Sequence, residues 1–167
     1  MGSETIELRK PVAEDGMALF DLVERCQPLD TNSSYCNLLQ CSHFADTGVA
    51  ATLANQLVGF VSGYIKPNEA DVWFVWQVAV GAEARGCGLA KRMLQSVLSR
   101  PALQQVQYLE TTITPDNEAS WALFTSLAKT LNAPMEKSVL FEQQQHFKGR
   151  HKTEYLVRIG PFPPSAE

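Results

Sequence analysis

Residues Val72 to Val80 read VWFVWQVAV, and a few residues on Arg85 to Ala90 read RGCGLA. The first stretch is apolar almost throughout, the pattern of a strand buried on both faces, with Gln77 as its one polar side chain. After the second, Leu89, Met93, Leu94, Val97 and Leu98 recur at helical spacing until Arg100-Pro101 stops them. The glycines therefore sit between a buried strand and an amphipathic helix. Gly86 and Gly88 remove side chains where backbone N–H groups would face an anion, and the helix N-terminus behind them adds a positive dipole end, so a pyrophosphate fits. A Walker A loop would need a Gly-Lys-Ser/Thr ending, and a dinucleotide fingerprint a third glycine where Lys91 stands; neither is met. An ordinary strand-to-helix turn would carry the same two glycines.

Working outward, Thr5 to Arg9 alternates as a short strand, Pro11 breaks it, and Glu14-Asp15 open a helix reaching about Cys26. Pro28 to Ser34 is a polar loop, and Tyr35 to Phe44 suits a second short helix. Val49 to Ala54 and Leu57 to Ile65 form a hairpin about Asn55-Gln56. Beyond the glycine helix come a strand from Val106 to Ile113 and a helix capped at Pro115-Asp116-Asn117 that runs to about Leu131. Strands at Ser138 to Phe141 and Thr153 to Ile159 flank a Gln-rich loop. The reading is one α/β (α+β) domain over residues 1–160, with residues 161–167 as a tail and residues 1–4 as a short solvated lead.

Composition bounds the function. With 45% hydrophobic and 19% charged residues the 167-residue chain is ordinarily globular, and no apolar run approaches the about 20 residues of a membrane span. No secretory leader is expected, and Ile6 stands where a myristoylation signal wants Ser or Thr. A net charge of −4 disfavours nucleic acid and suits cationic substrates. Cys26, Cys36, Cys41 and Cys87 are read as reduced thiols in a cytoplasm. Cys36, Cys41 and His43 pass for half a zinc site, but no second pair of ligands follows, so no metal is expected.

Arg85, Gly88 and Ala90 match the Arg/Gln-x-x-Gly-x-Gly/Ala signature, and the chain resembles the Gcn5-related N-acetyltransferases (GNAT) in this motif and in element order. The resemblance implies a mixed central sheet of about seven strands with splayed middle strands and flanking helices. It implies acetyl-CoA as co-substrate, bound through Val78, Val80, Arg85, Gly86, Gly88, Ala90 and Asn117. The backbone N–H near Val78 would serve as oxyanion donor, a preorganised dipole of the kind that dominates acyl transfer. Phe124 stands where the family carries a tyrosine that protonates the leaving thiolate. A thiol with a pKa near the cysteine value of about 8.5 leaves tolerably without that acid.

Four segments, Pro28 to Tyr35, Phe74 to Val80, Leu109 to Ser120 and Arg158 to Phe162, are similar to one narrower family, the diaminobutyrate acetyltransferases of ectoine biosynthesis. This second resemblance implies acetylation of the γ-amine of L-2,4-diaminobutyrate, a site lined by Asp30, Tyr35, Trp76 and Glu154, and a homodimer. The expected catalytic residues are Glu154, Tyr35 and the Val78 backbone. Lys152-Thr153 departs from it, since acidic residues are expected there, and so does Cys36, where an aromatic is commoner.

The physical logic agrees in part, because two ammonium groups call for carboxylates and a flat apolar wall. Plainer readings stand beside each residue: Asp30 closing a turn, Glu154 on a solvated strand face, Trp76 in the core. Attack on the thioester needs a neutral amine, and deprotonating an alkylammonium at pH 7.4 costs about 4 kcal/mol. Gln77 cannot accept that proton. Glu154, Asp30, His43 and His151 are the candidates, with Glu154 favoured, and a substrate amine desolvated to neutrality would need none. A covalent route through Cys41 with His43 as its base is a further possibility. Two other functions fit the same fold: an N-acetyltransferase for peptide or protein amines, and a catalytically silent acyl-CoA-binding module, to which Gln77 and Phe124 lend weight.

Overall fold

The computed structural model describes residues 5–163 of the chain. The expected lead at residues 1–4 and residues 164–167 of the expected tail lie outside them. The first half holds β1 (Glu7–Arg9), α1 (Gly16–Arg25), α2 (Ser34–Cys41), β2 (Val49–Leu53), β3 (Gln56–Ile65) and β4 (Val72–Val80). α3 (Leu89–Leu98), β5 (Tyr108–Ile113), α4 (Glu118–Thr130), β6 (Met135–Phe141) and β7 (Glu154–Ile159) follow. The strands form a seven-stranded sheet in the order β1-β2-β3-β4-β5-β7-β6. It is mixed: β4 and β5 run parallel, joined through α3, whereas β1 with β2, β2 with β3, β5 with β7 and β6 with β7 are antiparallel. The α/β class expected from the sequence holds.

The chain packs as two compact units. One comprises residues 5–64 and 76–104. Here α1 turns Leu19, Leu22 and Val23 onto Cys41, Ala50, Phe60 and Ala79, each buried to within a few per cent of full exclusion. Burial of side chains of this size contributes about 1.5–3 kcal/mol apiece, so this stripe fixes the helix on the sheet. α3 buries Leu89, Met93, Leu94, Val97 and Leu98, the spacing that predicted it. Gly59 on β3 makes the approach possible: a Cβ there would stand 3.0 Å from Leu89 Cδ2 and 3.2 Å from Met93. A short 3₁₀ turn, Ala13–Asp15, precedes α1 because the Asp15 carboxylate accepts the Val12 N–H at 2.8 Å and grips the Arg9 guanidinium at 2.7 and 2.8 Å.

The other unit comprises residues 65–75 and 105–163. The parallel β4–β5 ladder lies within it and spans Val72–Tyr108 to Val75–Thr111. That ladder has no further rung among the described residues, although β4 continues to Val80. Thr111 Oγ1 donates to Val75 O at 2.9 Å at the last rung. Glu110 is 1% exposed on β5, and burial of that carboxylate is tolerated because Lys66 Nζ reaches it at 3.0 Å and Arg158 pairs with its other oxygen. The Arg158 guanidinium lies 3.9 Å from the Tyr108 ring centroid.

Several element boundaries differ from expectation, and β1 begins at Glu7 instead of Thr5. The hairpin turns at Ala54-Asn55, both left-handed with φ of 51° and 65°, one residue earlier than the pair Asn55-Gln56. α2 stops at Cys41 instead of Phe44, and β5 begins at Tyr108 instead of Val106. β6 begins at Met135 instead of Ser138, since antiparallel pairing with β7 from Met135–Ile159 holds a stretch whose own pattern is polar. Phe162, within the expected tail, is buried, and its N–H donates to Gln107 O at 2.9 Å.

Candidate active site

Between β4 and α3 the backbone turns through Ala82–Ala84 and then through the glycines. Gly86 and Gly88 have φ of 84° and 73°, so glycine is the residue of least strain at both. A Cβ at either would meet no atom within 4 Å, so the turn offers open backbone to a ligand. Gly88 precedes the first turn of α3 and provides no side-chain cap. The N–H groups of Leu89 and Ala90 stand in the first turn of α3, and the dipole end they help to form attracts an anion. The Arg85 Nε donates back to Val80 O at 3.2 Å. Cys26 Sγ approaches the same oxygen at 3.4 Å. The carbonyl of Val80 is thus already engaged by the protein itself.

The same unit carries the expected acceptor residues Asp30, Tyr35 and Trp76. Ser33 caps α2, its hydroxyl accepting the Cys36 N–H at 3.0 Å, and this starts the helix one residue before Tyr35. Tyr35 is 70% exposed and Trp76 46%, so the plainer reading of Trp76 as core is wrong. Tyr64 meets Trp76 edge-on with centroids 6.1 Å apart, and Phe44 stands 6.2 Å beyond Tyr64. An exposed ring supported by two others is a flat wall for a cation. Gln77, the next residue along β4, donates from Nε2 to Asp30 O at 2.8 Å and accepts from Asn32 Nδ2 at 3.2 Å. Nothing in the sequence paired these residues, and Asn32, Tyr64 and Gln77 were not among the expected site residues.

Cys41 is fully buried, and burial pushes its thiol up to about 12. A thiol so far above neutrality supplies no thiolate, which removes the covalent route through this cysteine. Among the described residues no cluster of three or more His, Cys, Asp or Glu is placed to hold a metal ion.

The second unit holds Asn117 and Glu154. Asn117 caps α4, its Oδ1 accepting the Ser120 N–H at 3.2 Å, so its amide NH₂ is the group left to face a ligand. Phe124 is buried at 3% exposure within α4. Glu154 is half-buried at the start of β7, opposite Phe141 of β6. Lys152, where an acidic residue was expected, forms an ion pair with Asp116 beside Asn117, which balances its charge locally. Thr153 accepts the Gln143 N–H at 3.1 Å.

The model of the acetyltransferase (GNAT) family matches residues 17–128. The chain belongs to the GNAT acetyltransferase family. Among curated GNAT relatives, the L-2,4-diaminobutyric acid acetyltransferase of Methylotuvimicrobium alcaliphilum is 55% identical over 94% of this chain and 91% of the relative. The enzyme of the same name from Chromohalobacter salexigens is 51% identical over 96% of this chain and 84% of its own. Among solved structures, the diaminobutyrate acetyltransferase EctA from Paenibacillus lautus was determined in complex with its substrate L-2,4-diaminobutyric acid and coenzyme A. It superposes with a TM-score of 0.92 at 34% identity, covering 99% of this chain and 100% of that one. Within this GNAT chain, the first unit gathers Asp30, Tyr35, Trp76, Val78, Val80, Arg85, Gly86, Gly88 and Ala90, and the second holds Asn117 and Glu154.

Proposed function

We propose that this GNAT chain transfers the acetyl group of acetyl-CoA to the γ-amine of L-2,4-diaminobutyrate. The observation that carries the reading is the full-length match, at a TM-score of 0.92 and 34% identity, to an enzyme bound to that diamine and coenzyme A. The chain's own chemistry suits both partners. The open glycine turn and the first turn of α3 are the seat of the pyrophosphate, and the NH₂ group of Asn117 takes a carbonyl of the pantetheine arm. The exposed face of Trp76 takes an ammonium group, Asp30 and Tyr35 of the same unit contribute a carboxylate and a hydroxyl, and Glu154 is the second carboxylate.

The amine nitrogen attacks the thioester carbon, and the Val78 N–H stabilises the oxyanion that forms. Glu154 removes the amine proton, the C–S bond breaks, and the thiolate takes its proton from water because Phe124 has none to give. The domain acts as one functional unit over residues 1–160. A homodimer in the cytoplasm, with no nucleic-acid or membrane partner, completes the reading; no helix among the described residues is long and apolar enough to cross a membrane. The test is thiol release from acetyl-CoA with L-2,4-diaminobutyrate, ornithine and lysine in parallel. Turnover dominated by diaminobutyrate is expected. Equal rates with all three, or none with any, would overturn the assignment in favour of a protein amine or a silent acyl-CoA module.

A further inference from the structure

We infer that Gln77 is a positioning residue for the acceptor site, an amide strut that sets the carboxylate loop against the aromatic wall and thereby fixes which diamine fits. This inference rests on the acceptor assignment proposed above. Gln77 is half-buried in an otherwise apolar strand, where its amide gains from being satisfied at both ends. Here it is: Nε2 donates to Asp30 O at 2.8 Å and Oε1 accepts from Asn32 Nδ2 at 3.2 Å. Asp30 O can only accept, so the NH₂ end of Gln77 must face the loop carbonyl, and its oxygen then necessarily turns to Asn32.

The loop between α1 and α2 needs such a brace. Its start is tied by Leu29 N–H donating to Cys26 O at 3.0 Å, and its end by the Ser33 cap on Cys36. Asp30 to Asn32 lie between these anchors, and Gln77 reaches them from 45 to 47 residues away in sequence. The strut follows Trp76 directly along β4, so one side chain ties the Asp30 backbone to the strand that bears the ring. A diamine gripped by a carboxylate and an aromatic face is measured by the gap between them. Loosening the strut should therefore relax chain-length discrimination as well as weaken acceptor binding, while leaving acetyl-CoA untouched.

Initial rates test this with wild type, Gln77→Leu, Asn32→Ala and the double variant, using L-2,4-diaminobutyrate and ornithine, which is one methylene longer. Losing both amide bonds should raise KM for diaminobutyrate by about tenfold, with KM for acetyl-CoA held within about twofold. Preference for diaminobutyrate over ornithine should drop by about threefold or more. Asn32→Ala should act in the same direction by about threefold, and the double variant should be no worse than Gln77→Leu, because the two residues share one bond. Joint movement of both KM values, unchanged selectivity, or full additivity overturns the inference. If Gln77→Leu does not fold, Asn32→Ala decides alone, and an unchanged diamine KM overturns it. Wild type inactive on diaminobutyrate would overturn the acceptor assignment and this inference together, a result visible before any variant is made.

Discussion

Replacing Gly88 by alanine should damage coenzyme A binding far more than it damages the fold. The residue has φ of 73°, and an L side chain in that region costs roughly 1–2 kcal/mol. No clash adds to this, since a Cβ at Gly88 meets nothing within 4 Å. For a domain of this size a loss of about 1.5 kcal/mol lowers Tm by about 5 °C. The added methyl instead fills open space at the turn that would hold the pyrophosphate. Weakening two charge-assisted hydrogen bonds, at about 1.5 kcal/mol each, raises the Kd for coenzyme A about 100-fold. Isothermal titration calorimetry and thermal unfolding read the two effects separately. Gly88→Asn sharpens the contrast, because asparagine tolerates the left-handed region yet still obstructs the donors. It should recover most of the lost Tm and little of the lost affinity. Binding within about threefold of wild type in both variants would refute the assignment of the turn as the phosphate seat.

Trp76→Ala should raise KM for diaminobutyrate about tenfold, the worth of a desolvated cation–π contact, with KM for acetyl-CoA unchanged in the same initial-rate assay. Cys41→Ala should retain turnover, since its thiol is held far above neutral pH; loss of activity in a folded variant would restore the covalent route. Asp15→Asn should cost about 2 kcal/mol at pH 7 in urea unfolding, because Asp15 accepts from both Arg9 nitrogens and from the Val12 N–H. The Arg9 guanidinium holds the Asp15 carboxyl below its usual range. A depressed folded value means stability is gained above the unfolded pKa, so the gap between wild type and variant should be full above pH 5 and should shrink as pH falls below about 4. A gap independent of pH would contradict the ion pair.

The β4–turn–α3 unit was legible because three signals coincide: a strand apolar but for Gln77, two glycines that must take positive φ, and a helical stripe of which all five residues are buried. The element order followed from periodicity and breakers. The boundaries of weakly patterned strands did not. Met135 to Ser138 reads as polar, and its strand exists through pairing with β7, an interaction invisible to local pattern. The turn at Ala54-Asn55 puts an alanine in the left-handed region, which no local rule anticipates. At the site, Trp76 was expected as a wall and proves to be exposed, whereas Gln77 was seen only as a residue unable to act as a base. Its partners lie 45 and 47 residues upstream, and hydrogen bonds of that separation leave no trace in spacing.

The most direct test of the central claim is the identity of the product formed from acetyl-CoA and L-2,4-diaminobutyrate, read by two-dimensional NMR for the nitrogen that carries the acetyl group. The account predicts a single product acetylated at the γ-nitrogen. Acetylation at the α-nitrogen, a mixture of the two, or no product under conditions in which coenzyme A binds would contradict it.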